Sequence, residues 1–159
     1  MSSRTGLPPA AWVAFGAVVG LWLVAHATRD PPATLTERQK AAIQQKIATE
    51  VMHGEMLYNL PHLFPPPVKF TTRDPRNAAE STCDYYGVRS GEPTWGVGVN
   101  ERLAAQNYHR FFTETIPHEV AHLMLCRISI AWETHDERWE AIVRDMGATP
   151  FPHHDYAGE

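Results

Sequence analysis

The feature that most limits how this chain can fold is a pair of histidines four residues apart, with a glutamate directly after the first. These are His118, Glu119 and His122, in the segment TIPHEVAHLM at residues 115–124. Residues four apart project from the same face of an α-helix, so a helix would let both imidazoles reach one metal ion. The pattern His-Glu-x-x-His is typical of a zinc site with a built-in general base. We therefore predict a helix here with a metal on one face.

A third imidazole is expected from the segment that follows this motif helix. Residues 134–137 read THDE, a capping box, and the apolar residues after them recur as in an amphipathic helix that ends at Gly147. His135 then stands at the start of a helix, a rigid position from which to present a ligand. Twelve residues separate it from His122, enough for the first helix to end and the chain to return. The predicted metal ligands are His118, His122 and His135.

The N-terminal region contains an uncharged apolar segment, AAWVAFGAVVGLWLVAHA, at residues 10–27. Its length is the lower limit for crossing about 30 Å of hydrocarbon at about 1.5 Å per residue, and Trp12 and Trp22 near its ends are typical of a membrane interface. We predict a single-pass membrane anchor, preceded by a short tail at residues 1–9. The alternative is a signal peptide cleaved near Ala27, where AHA resembles an A-x-A site.

The charges around the apolar segment leave two orientations open. More Lys and Arg residues follow the segment than precede it, which favours a cytoplasmic domain, whereas signal-type insertion would place the domain outside. A proline-containing linker at residues 28–33 leads into a single domain predicted over residues 34–159.

This domain begins with a predicted helix over residues 34–59. Thr36 and Gln39 form a capping box at its start. Apolar residues recur at i+4 and predict one buried stripe with two methionines beside it; these residues are Ile43, Ile47, Val51, Met52 and Met56.

Three β-rich segments follow, at residues 68–72, 82–88 and 94–100. We expect them to form a short three-stranded antiparallel sheet, followed by the motif helix and a C-terminal helix, which makes the fold class α+β. Proline is tolerated in the first turn of a helix but not in its interior, so Pro117 predicts a helix start or a kink near residues 113–115.

The net charge and the two cysteines limit the partners and the compartment. The formal charge is −4, so strong nonspecific binding to nucleic acid is not expected. Cys83 and Cys126 lie far apart without a CxxC pair and cannot build a structural zinc site by themselves. We favour buried free thiols, and a disulfide is the alternative if the domain is exported.

The motif and its surroundings resemble the SprT-like zinc metallopeptidase family. The sequence HEVAH, twelve further residues and then His-x-x-x-Trp on a helix ending in Gly match the family pattern. The matching residues are His118, Glu119, His122, His135, Trp139 and, in the tail, His154 and Tyr156. The segment before the motif also resembles that of the family, with Asn100 at the end of a strand before a helix, and with Thr115 and Pro117 just before His118. The similarity covers roughly residues 33–156.

The resemblance implies a small zincin-like metallopeptidase domain that binds one catalytic Zn²⁺ and hydrolyses a protein or peptide substrate. Three imidazoles leave a fourth position for water, and Glu119 is expected to take that water's proton as general base. His154 or Tyr156 would stabilise the oxyanion or position the substrate, or else only close the C-terminus of the domain. Trp139 is expected to pack in the core. The candidates for orienting the imidazoles are Glu133, Asp136 and Glu140.

The sequence also departs from the family. Many members carry a C-terminal zinc ribbon of paired CxxC motifs, which this sequence does not contain, so a minimal form is expected. Soluble members act inside the cell, some on proteins crosslinked to DNA. The apolar N-terminal segment and the acidic net charge put a DNA-dependent activity in doubt.

Two other interpretations compete with a membrane-tethered zinc endopeptidase. In the first, the domain is a catalytically inactive binding or scaffold module that keeps zinc for folding, because metal binding energy is also folding energy. Glu119 argues against it, since a purely structural site has no use for that carboxylate. In the second, a non-proteolytic metallohydrolase uses the same three histidines.

Overall fold

The fold consists of a long helix, a three-stranded sheet and a run of helices that includes the motif. In the computed structural model the described residues are 34–72, 77–84, 94–129 and 134–151. The predicted α+β class is confirmed. The elements in chain order are α1 (Glu37–Leu57), β1 (Val68–Thr71), β2 (Ala79–Asp84), β3 (Thr94–Asn100), α2 (Glu101–Gln106), α3 (Tyr108–Arg110), a π-helical turn (Phe111–Thr115), α4 (Ile116–Ile128) and α5 (Glu137–Asp145).

Helix α1 is capped as the sequence predicts and packs against the motif helix α4. The Thr36 hydroxyl accepts the Gln39 N–H, and the Gln39 side chain accepts the Thr36 N–H in return. Ile43, Ile47 and Val51 form the predicted stripe and are fully buried. Because they share one face, their burial lays α1 along α4.

The two methionines predicted beside this stripe are instead at the surface. Met52 is 48% exposed and Met56 is 72% exposed. They follow Val51 by one and five positions, which turns them about 100° and 140° around the helix from the stripe. The apolar part of the stripe therefore ends at Val51, and the next residue at i+4 is the buried Glu55.

The sheet is mixed, which corrects the prediction of an antiparallel sheet. Its strand order is β1-β3-β2. β2 pairs antiparallel with β3, with Ser81 opposite Val97, but β1 pairs parallel with β3, with Val68 opposite the same Val97. β3 is the most buried strand and takes the centre. As a result, β1 and β2, which are neighbours in sequence, are not neighbours in the sheet.

The boundaries of two strands differ from the sequence pattern, and β1 ends at Thr71 instead of residue 72. β2 covers Ala79–Asp84 rather than residues 82–88, and residues 85–93 lie outside the described ranges. β3 ends at Asn100 as predicted, and the Asn100 side chain caps α2 by accepting the N–H groups of Arg102 and Leu103.

The chain enters the motif helix through the π-helical turn, where a kink is predicted. Pro117 has no N–H, so the carbonyl of Thr113, four residues earlier, loses its α-helical donor. The N–H of Ile116 bonds to the carbonyl of Phe111, five residues back. The irregularity near residues 113–115 is thereby confirmed, with a π turn as its form.

Cys83 and Cys126 form a disulfide, so the expectation of free thiols is wrong. Cys83 lies on β2 and Cys126 on α4, with 6.4 Å between their Cα atoms, although 43 residues separate them along the chain. Packing of β2 against α4 brings them together. That packing depends on tertiary structure, and the spacing of the cysteines in the sequence gave no sign of it.

A buried ion pair fixes the C-terminal end of α4 to α1. The side chains of Arg127 and Glu55 are 1% and 3% exposed, and Arg127 Nη1 donates to Glu55 Oε1 at 2.5 Å. Arg127 Nη2 donates to the carbonyl of Pro61 at 2.5 Å. Glu55 also accepts the N–H of Leu63 and lies 2.6 Å from Nδ1 of His62. This network joins the loop after α1 to the motif helix.

The predicted anchor and linker, residues 10–27 and 28–33, lie outside the described residues. Within the ranges that the structure describes, no helix combines the length and the apolar character needed to span a membrane.

We expect Arg127→Met to lower the free energy of unfolding by about 3–5 kcal/mol, because it leaves the Glu55 carboxylate buried without its cation. The double variant Glu55→Gln/Arg127→Met removes that charge as well and should recover most of the loss. Denaturant unfolding of the 159-residue chain in detergent measures both changes.

The matched control is Arg144→Met, since Arg144 pairs with Glu140 at the surface with side chains 59% and 40% exposed. Its loss should stay within about 1 kcal/mol. A double variant no more stable than Arg127→Met alone would contradict the role given to the buried charge.

Candidate metal centre

Three imidazole nitrogens converge beside the N-terminal half of α4. Nε2 of His122 lies 3.3 Å from Nε2 of His118 and 3.1 Å from Nε2 of His135, and the last two atoms are 3.2 Å apart. In the part of the chain that the structure describes, these three residues form the one cluster able to hold a metal ion. The three predicted ligands are therefore brought together.

The triangle has the size that a tetrahedral zinc ion requires. At Zn–N distances of about 2.0–2.1 Å and tetrahedral angles, ligand nitrogens lie about 3.3–3.4 Å apart. The observed sides of 3.1–3.3 Å agree with this. Among the described residues no fourth side chain joins the cluster, and three imidazoles are a donor set that zinc takes in proteins. The residues present thus fit a zinc ion.

Two structural elements hold these ligands. His118 and His122 lie one turn apart on α4 and are buried, whereas His135 precedes α5 and lies nearer the surface. The cap of α5 is Asp136, whose carboxylate accepts the N–H groups of Arg138 and Trp139, and not Thr134 as the sequence pattern suggests. His135 therefore stands directly before the N-cap, at a position fixed by the first turn of α5.

The tautomer of His118 follows from its second ring nitrogen. Nδ1 lies 3.1 Å from the backbone carbonyl oxygen of Phe151. A carbonyl only accepts hydrogen bonds, so Nδ1 must carry the proton and Nε2 must present its lone pair. This leaves Nε2 ready to bind a metal, and such a partner fixes the orientation of a ligating imidazole.

Trp139 packs against all three imidazoles, and its predicted place in the core is confirmed by full burial. Its ring stacks on His122 at 5.5 Å and meets His118 and His135 edge-on at 4.6 Å and 4.5 Å between ring centroids. Its Nε1 donates to the carbonyl of His118 at 3.4 Å. One side chain thus supports the three ligands at once.

Glu119 directly follows His118 on α4 and is buried, with 5% of its surface exposed. Its Oε2 accepts a hydrogen bond from the Ser81 hydroxyl at 2.7 Å. Burial raises the pKa of the Glu119 carboxyl to about 7, against the lowering effect of its hydrogen bonds from Ser81; the charge of Glu80 adds a smaller rise. This carboxyl is therefore far less acidic than an exposed glutamate.

The remaining predicted site residues are not seen in contact with the three imidazoles or lie outside the described residues. Glu140 pairs with Arg144 at the surface, and Asp136 acts as the cap of α5, so neither acidic side chain is bonded to an imidazole in these contacts. Glu133, His154 and Tyr156 lie outside the described residues. Their predicted roles stay predictions.

Two contacts of the site were not found from the sequence. Phe151 contributes through a backbone carbonyl, which no side-chain pattern can reveal. Ser81 lies 38 residues from Glu119 and belongs to no motif. The one available signal was strand alternation, which places Ser81 on the same face of β2 as Cys83, and both are buried.

Comparison with known proteins supports a metalloprotease-type domain. The model of the SprT-like family matches residues 64–156, more than half of the 159 residues. The match spans the sheet, α4, the three histidines and α5. Neither the curated proteins nor the solved structures gave a match.

We expect Trp139→Ala to lower the free energy of unfolding by about 3–5 kcal/mol and to weaken zinc binding by about 10–100-fold, because the three imidazoles lose their common support. Trp139→Phe keeps an aromatic ring against the imidazoles, so it should lose far less stability and far less zinc affinity. Zinc titration with a competing chelator measures the affinity, and unchanged affinity in Trp139→Ala would refute the supporting role.

Proposed function

The chain belongs to the SprT-like family, and on that premise we propose that it is a zinc-dependent metalloendopeptidase. The proposal is carried by the triangle of Nε2 atoms from His118, His122 and His135, with a buried carboxylate at Glu119 next to the first ligand. A site built only to hold a metal would not need a carboxylate buried beside it.

Each of these side chains has a role in peptide hydrolysis. A zinc ion held by the three imidazoles would supply a Lewis acid that polarises the scissile carbonyl and makes a water molecule more acidic. Glu119 accepts the proton of the attacking water and then delivers it to the nitrogen of the leaving amine. The C–N bond breaks, a carboxylic acid and an amine are released, and Glu119 returns to its starting state.

His154 and Tyr156 are proposed to donate hydrogen bonds to the oxyanion or to the substrate backbone. The support is that the family match extends to residue 156 and that Phe151, shortly before them, already contacts His118. The residues themselves lie outside the described ranges.

The alternative is a catalytically inactive binding or scaffold module stabilised by zinc. It shares the three ligands and differs only in having no use for the carboxylate of Glu119. The two functions are therefore separated by an experiment on this one residue.

We expect Glu119→Gln to lower cleavage by about 100–10,000-fold, because the amide cannot accept the proton of the attacking water. Zinc content should stay at about one ion per chain, since the ligands are unchanged. The measurement uses the 159-residue chain in detergent, loaded with zinc, with fluorescently labelled casein as an unfolded protein substrate.

Glu140→Gln serves as the matched control, because it removes a surface carboxylate from α5 and should leave cleavage unchanged. Undiminished cleavage in Glu119→Gln would refute the assignment of the general base. A zinc-loaded chain that cleaves no better than Glu119→Gln would favour the scaffold alternative.

We also propose that the domain resides in an oxidising compartment, tethered by residues 10–27. The disulfide between Cys83 and Cys126 supports this location, because disulfides persist in oxidising compartments and are rare in the cytosol. It outweighs the excess of Lys and Arg after the apolar segment, which favours the opposite side. The substrates would then be proteins of the same compartment, and nucleic acid is not a proposed partner.

The state of the two cysteines in intact cells tests this location. We expect a thiol-reactive polyethylene glycol maleimide, added to denatured protein after rapid acid quenching, to leave the mobility of the chain unchanged. After reduction it should add two labels, at Cys83 and Cys126. Two labels without reductant would place the domain in a reducing compartment.

A further inference from the structure

We infer that Ser81 is a positioning residue for Glu119, holding the carboxylate in the one orientation that its role in hydrolysis requires. The inference rests on the proposed function and concerns a residue outside the His-Glu-x-x-His motif. It assigns to the edge strand β2 a part in the catalytic site.

The hydroxyl of Ser81 contacts two atoms of the same residue. Ser81 Oγ lies 2.7 Å from Oε2 of Glu119 and 2.8 Å from the backbone carbonyl oxygen of Glu119. Both contacts are buried, and a hydroxyl has one hydrogen to donate, which the two oxygens share or exchange. The side chain of Glu119 is thereby held against its own backbone, which restricts its rotamers.

The position of Ser81 is itself fixed from two directions. Along β2, Ser81 pairs with Val97 of the central strand β3. Two residues further on, Cys83 points to the same face and is bonded to Cys126 of α4. β2 is thus attached to the motif helix at Glu119 and again at Cys126, seven residues or about two turns later.

The fixed position of Ser81 matters because the Glu119 side chain alone can adopt more conformations than proton transfer from the attacking water permits. A glutamate has three rotatable side-chain bonds, and burial alone does not select among orientations of the carboxylate. Proton transfer requires the acceptor oxygen within hydrogen-bonding distance of the water, so a misplaced carboxylate lowers turnover even where the metal ligands are intact. A donor on a paired strand supplies that selection.

A purely structural role predicts a different outcome on substitution. If Ser81 only joins β2 to α4, then Ser81→Ala lowers stability by about 1 kcal/mol and changes kcat and KM little. If it positions Glu119, then kcat falls by about 10–100-fold, KM stays within about 2-fold, and the zinc content is unchanged. Ser81→Thr, which keeps the hydroxyl on a β-branched residue suited to a strand, should restore most of kcat.

The matched control is Thr82→Ala, which removes the next hydroxyl on β2. Thr82 faces the opposite side and is exposed, with a contact to the Gly96 carbonyl at 3.5 Å. The Thr82→Ala variant should leave kcat unchanged. A fall in kcat equal to that of Ser81→Ala would mean that both substitutions act by loosening the strand, and would overturn the inference.

A readout independent of turnover separates this inference from the proposed function. The carboxyl ¹³C resonance of Glu119, assigned by its loss in Glu119→Gln, should shift in zinc-loaded Ser81→Ala and return in Ser81→Thr. A resonance that stays in place in Ser81→Ala overturns the inference whatever the activity. A resonance that shifts in a chain that never cleaves supports the positioning and overturns the proposed peptidase activity.

Discussion

The structure depends on one electrostatic constraint, the close approach of three imidazole nitrogens. Three Nε2 atoms 3.1–3.3 Å apart cannot all hydrogen-bond to one another, because at least one pair must be two donors or two acceptors, whereas a cation between them would bind all three lone pairs. Two residues of the surrounding fold hold the rings in place. Trp139 stacks on the ring of His122 and meets the rings of His118 and His135 edge-on, and the Phe151 carbonyl accepts a hydrogen bond from His118. The candidate metal site is thus built from α4, α5 and the residues on either side of α5.

The motif helix is held at both ends, for two different purposes. Near its start, β2 reaches Glu119 through Ser81, and the disulfide from Cys83 fixes the same strand further along. At its end, the buried pair of Arg127 and Glu55 fixes it to α1. In our proposal, the first set of contacts orients the general base Glu119, and the second fixes the position of the helix that carries it.

The sequence predicted those parts of the site that depend on local spacing. The i, i+4 histidines require a helix, the distance to His135 allows the chain to return, and Pro117 marks the irregular turn before the motif. The parts that it missed depend on which elements pack together. The pairing of Cys83 with Cys126 and the bond from Ser81 follow from β2 lying against α4, and the strand order follows from the central place of the buried strand β3. No periodicity in a single sequence records that contact.

The central claim is that three imidazoles of this chain bind one zinc ion and leave a position open. X-ray absorption at the zinc edge, on the zinc-loaded 159-residue chain, tests it most directly. We expect about one zinc per chain, with imidazole nitrogens at about 2.0–2.1 Å and one further light ligand, and a loss of imidazole scattering in His135→Ala. Sulfur ligation near 2.3 Å, or a spectrum unchanged by His135→Ala, would contradict it.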